Sequence, residues 1–143
     1  MRYSTRPLYT RENWRVLFSA RVRRRLNGIK ARLTKAAECA AKARRLHDQR
    51  RLEAGADMCV RLAAHVAASI ESGRMTATQW AVAVAGMRET ARIIATDDDM
   101  KTSDRLRARG EQLACIDIAA DVAVMLRARS LKAAMQEEAM QCE

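Results

Sequence analysis

Apolar residues recur at steps of three and four along nearly the whole chain, without the strict alternation of a half-buried strand. The first stripe is Trp14, Phe18, Val22 and Leu26, with Leu17 beside it, and it predicts a helix over residues 11–26. Asn27 and Gly28 follow. Both tolerate the left-handed backbone that ends helices, so we expect a break there. The stripe resumes with Ile29, Leu33, Ala36, Ala40 and Ala43, giving a second helix over residues 29–52. Polar residues 47–51 then interrupt it before Gly55. A third helix over residues 56–72 buries Ala56, Cys59, Ala63, Val66 and Ile70 and ends at Gly73.

The sharpest local signal lies at residues 75–80. Thr76 and Gln79 have the spacing of a capping box, and Met75 and Trp80 flank it as a hydrophobic staple. A fourth helix therefore starts at Ala77, with Trp80, Val84, Met87, Ala91 and Ile94 inside. Asp97, Asp98 and Asp99 form a loop, and Thr102 or Ser103 caps a fifth helix reaching to about residue 140. Its expected inner face is Leu106, Leu113, Ile116, Ala120, Val124 and Leu131. Gly110 costs about 1 kcal/mol against Ala in a helix interior, which we read as the mark of a close helix crossing. Residues 115–126 are apolar nearly all round apart from Asp117 and Asp121, the pattern of a helix buried on more than one side.

Together these elements predict an all-α protein: a helical bundle of about five helices, with C-terminal antiparallel hairpins and a basic N-terminal arm and helix. We divide it into an extended arm at residues 1–10, a basic helical region at 11–54 and a bundle core at 55–143. No stretch of 18 or more apolar residues suggests a membrane span.

Charge sharpens the picture. Residues 1–51 hold 16 Lys and Arg against three acids, whereas the remainder holds 11 against 14. Charge sorted in this way points to a polyanionic partner, the competing account being a well-solvated helix surface. The candidate phosphate contacts are Arg21, Arg23, Arg24, Arg25, Lys30, Arg32, Arg44, Arg45 and Arg51. Arg forks suit phosphate, although an Arg- and Ala-rich composition also follows from a GC-rich bacterial or phage genome. Tyr3, Tyr9, Trp14 and Phe18 interleave with basic residues, as in grooves that stack bases while tracking a backbone. Trp14 and Phe18, four apart, read better as core. A helix-turn-helix at residues 27–28 has weak support, because the second helix is Ala-rich and long for a recognition helix.

Little in the chain suggests catalysis. Serine nucleophile elbows, Walker loops and dinucleotide fingerprints are absent from the sequence. Asp117 and Asp121 share one helix face, but enzymes built on helical acid clusters need several carboxylates from two helices. We expect Arg61 to neutralise Asp117 instead. His47 and His65 lack zinc-ligand spacing, and the aspartates at 97–99 and 104 do not match a calcium loop. No enzyme activity, metal or cofactor is therefore expected. Cys39, Cys59 and Cys115 read as small buried apolar residues in a reducing compartment, and Cys142 as part of a tail. That places the protein in the cytoplasm of a bacterium, or in the host cytoplasm or virion of a phage.

Few aromatics and abundant Ala make a lean core, so we expect a homo-oligomer or a component of a protein complex. The resulting reading is a non-enzymatic helical nucleic-acid-binding protein of low sequence specificity. The alternative is a helical protein-interaction module, such as a phage virion assembly component, adaptor or inhibitor, whose basic arm docks on an acidic protein surface. A third reading lays the first helix on an anionic membrane, which requires Trp14, Leu17 and Phe18 to be exposed together.

Overall fold

The computed structural model describes the backbone of residues 11–141 and the side chains of residues 14–129. The expected arm at residues 1–10, with Tyr3 and Tyr9, lies outside the described residues, as do Cys142 and the side chain of Leu131. Four helices pack together, and no strand occurs among the described residues. They are α1 (Arg11–Lys42), α2 (Leu46–Val66), α3 (Ala77–Thr96) and α4 (Thr102–Gln141), with a π-helical turn (Ala67–Glu71) extending α2.

The count is four rather than about five because Asn27 and Gly28 do not break α1. Phe18, Val22, Leu26, Ile29, Ala37 and Ala40 are all buried along one continuous stripe. Each buried aliphatic side chain contributes about 1.5–3 kcal/mol, which outweighs the roughly 1 kcal/mol penalty of a helical Gly. Ala36, expected inside, is exposed, and Ala37 takes its place. The break falls instead at residues 43–45. Arg44 adopts φ 57°, the Arg44 N–H donates to the Ala41 carbonyl and the Arg45 N–H to the Ala40 carbonyl. This is a Schellman ending with Arg in the left-handed position usually held by Gly. α2 then runs without interruption across Ala54 and Gly55.

α1 and α2 fold back on each other, with Ser19 beside Glu71 at one end and Leu33 beside Gly55 nearer the other. α2 also packs on α4, and α4 packs on α3. α2 and α3 follow one another in sequence, yet α2 lies along α1 and α4 rather than along α3.

The start of α3 follows the expectation. The Gln79 N–H donates to Thr76 Oγ1 at 3.1 Å and the Thr76 N–H to Gln79 Oε1 at 3.0 Å. Met75 and Trp80 both join the core. Gly73 ends the preceding element with φ 76°.

The inner face of α4 differs from the expected one. Leu106 is buried, but Leu113, Ile116, Ala120 and Val124 are exposed. The buried positions are Ala108, Gly110, Ala114, Cys115, Ile118 and Val122. A segment apolar all round gives periodicity no face to choose, and on the buried face Ala108, Gly110 and Ala114 let α4 approach its neighbours closely. Cys59 and Cys115 are buried as expected, whereas Cys39 is exposed.

Candidate nucleic-acid interface

An unbroken α1 turns scattered basic residues into a stripe. Arg21, Arg25, Gly28 and Arg32 stand at steps of four, three and four, one above another on a helix. Arg24 lies beside them. With Asp121 of α4 these residues line an open groove of about 640 Å³. A smaller hollow of about 270 Å³ adjoins it through shared Arg21 and Arg24, and is walled by Trp14, Leu17 and Met125. The two form one furrow between α1 and α4. Arg21, Arg24, Arg25 and Arg32 are exposed, and none of them joins an ion pair among the described residues. One carboxylate, Asp121, faces four guanidinium groups there.

The other five candidates lie elsewhere. Arg23 points to the opposite flank of α1, where Nη2 donates to Glu71 Oε1 at 2.7 Å. The hydroxyl of buried Ser19 donates to the same oxygen at 2.7 Å, and the π-helical turn carries Glu71 to this meeting point. Lys30 faces a shallow hollow with Thr34 and Glu38. Arg44 and Arg45 sit at the turn beyond α1. Arg45 and Arg51 both approach Asp48, at 3.8 and 3.4 Å. Two contributors to the furrow carry no phosphate-binding signal in the sequence: Gly28 has the pattern of a helix stop, and Asp121 that of half a carboxylate pair.

Trp14 is engaged internally. Its ring stacks on Phe18 at 5.0 Å, and the guanidinium of Arg129 lies 3.9 Å from a ring centroid. Phe18 is buried, so Trp14, Leu17 and Phe18 are not exposed together as membrane docking requires. No described helix is long and apolar enough to cross a membrane.

The acid pair on α4 is also divided. Asp117 is exposed, and Arg61 pairs with Glu111 at 2.8 Å rather than with Asp117, correcting the expected partner. The Arg61–Glu111 pair borders a second cleft of about 650 Å³, where Arg50 and Arg107 stand among Glu53, Asp57 and Asp104. Charges there are mixed in sign, and Arg107 pairs with Asp104 at 3.4 Å. The furrow on α1 differs in carrying mainly one sign.

Inside the bundle, the indole N–H of Trp80 donates to His65 Nδ1 at 2.8 Å, satisfying the polar atom of a fully buried ring. Burial, aided by nearby Asp117, pushes the Cys59 thiol up to about 11. Burial, aided by Glu111, does the same to Cys115. Both are held as neutral thiols, which suits packing and disfavours nucleophilic chemistry. No family model matches this chain, and neither a curated protein nor a solved structure matches it.

Proposed function

We propose that this chain is a non-enzymatic nucleic-acid-binding protein that grips phosphate through Arg21, Arg24, Arg25 and Arg32. The observation that carries the reading is the convergence on one furrow of these four guanidinium groups, none in an ion pair among the described residues, faced there by Asp121. Guanidinium forks bind phosphate oxygens in pairs, and contacts to phosphate carry no base information, so sequence specificity is low. Trp14 is occupied by Phe18 and Arg129, which leaves backbone attraction rather than base stacking as the main source of affinity. Arg23 and Arg51 serve the fold in this reading, through Glu71 and Asp48.

The test is titration of a labelled duplex and a labelled single strand at two salt concentrations. Four phosphate contacts predict a roughly 150-fold loss of duplex affinity for a fourfold rise in salt. A variant carrying Arg21→Glu, Arg25→Glu and Arg32→Glu, all at exposed positions, should lose binding while keeping its helix content. Absence of binding at the lower salt, or binding indifferent to this variant, overturns the reading. The furrow would then be a docking surface for an acidic protein.

A further inference from the structure

α4 is apolar on two sides, and the bundle covers one of them. Ala114, Cys115, Ile118 and Val122 are fully buried, whereas Leu113 keeps 38 % of its surface exposed and Val124 59 %. The exposed side has a regular seam. Leu113, Asp117, Ala120, Val124 and Arg127 follow at steps of four, three, four and three. This is the spacing of the contact positions in a pair of coiled helices, and the same step reaches Leu131 in the sequence. Asp117 and Arg127 are exposed, and neither joins an ion pair among the described residues.

The order of charges on this seam selects a partner. If two copies paired in parallel, Asp117 would meet Asp117 and Arg127 would meet Arg127, both repulsive. If they pair antiparallel with Ala120 against Val124, each Asp117 comes level with Arg127 of the other copy. The seam is then complementary to itself, as an isologous twofold contact requires. Ala120 at the centre lets the two helices approach closely.

We infer that α4 pairs antiparallel with α4 of a second copy of this chain, through Leu113, Ala120 and Val124 and two Asp117–Arg127 ion pairs.

Sedimentation velocity on the full chain tests this, with Asp117→Arg, Arg127→Asp and the double variant D117R/R127D. The wild type should sediment as a dimer. Each single reversal should weaken the dimer at least about tenfold by placing like charges together, and the double variant should restore it. Helix content should be unchanged throughout, because both side chains are exposed. A monomeric wild type, a dimer insensitive to the single reversals, or a double variant that fails to recover would each overturn the inference. A parallel pair specifically predicts no recovery.

Discussion

Gly110 of α4 and Gly55 of α2 meet backbone to backbone. A Cβ on Gly55 would lie 3.1 Å from the Gly110 carbonyl oxygen, and a Cβ on Gly110 would lie 2.0 Å from the carbonyl oxygen of Arg51. The obstacle at Gly110 is main chain, which cannot rotate aside as a side chain can. Gly110→Ala should therefore destabilise the bundle by about 3 kcal/mol, at the upper end of the usual overpacking range. Chemical denaturation would measure it; a neutral result would mean that the two helices do not touch at this point.

Gly28 is the opposite case. Nothing lies within 4 Å of a Cβ built there, and the residue sits inside a continuous helix. Gly28→Ala should stabilise the protein by about 0.5–1 kcal/mol, since Ala loses less backbone freedom on folding. A lower melting temperature in this variant would show that α1 breaks at Gly28 after all.

His65 holds the indole of Trp80. Replacing it with Ala leaves a fully buried N–H without its acceptor, at a cost of about 1–3 kcal/mol. Trp80→Phe in the His65→Ala background should then cost less than it does in the wild type, and a double-mutant cycle would report the difference.

The cysteines should separate by reactivity and by pH. Cys39 is exposed and should be alkylated in the native state, whereas Cys59 and Cys115 should react only after denaturation. Both buried thiols titrate near 11 when folded, against 9.0 for an ordinary thiol. The folded state therefore holds more protons than the unfolded state between those values. The stability this provides is complete below about 9 and is lost as pH rises through about 11. Denaturant midpoints measured across that interval should fall, and should fall less in the Cys59→Ala, Cys115→Ala double variant.

Arg32 and Arg23 should behave differently when each is changed to Ala. Loss of Arg32 should lower the dependence of log affinity on log salt by about 0.9, the contribution of one duplex phosphate. Loss of Arg23 should leave that slope unchanged and lower the melting temperature, because Glu71 loses a partner. Equal slopes for both variants would detach Arg32 from phosphate binding.

What could be read from the sequence depended on how local the deciding interactions are. The start of α3 was legible because Thr76, Gln79, Met75 and Trp80 settle it within six residues. The run of α1 through Asn27 and Gly28 was not, because burial against α2 and α4 decided it over a preference worth about 1 kcal/mol. Its true end, at Arg44, carries no glycine to announce it. The inner face of α4 was hidden by apolar residues on every side. The basic character of α1 was plain, but its sorting was not. Arg23 leaves the stripe for Glu71, 48 residues away in sequence, on a π-helical turn that no local pattern signals.

The continuity of α1 bears on the cost of recognition. Arg21, Arg25 and Arg32 stand on a single rod, with their Cα atoms about 16 Å apart from first to last at 1.5 Å per residue. Two helices hinged at Gly28 would have to surrender relative motion each time a ligand bridged them. A rod has already given up that freedom during folding, where burial of Val22, Leu26 and Ile29 offsets the loss. An anion arriving at the furrow thus meets charges whose backbone spacing is set in advance, and only the arginine side chains remain to be ordered.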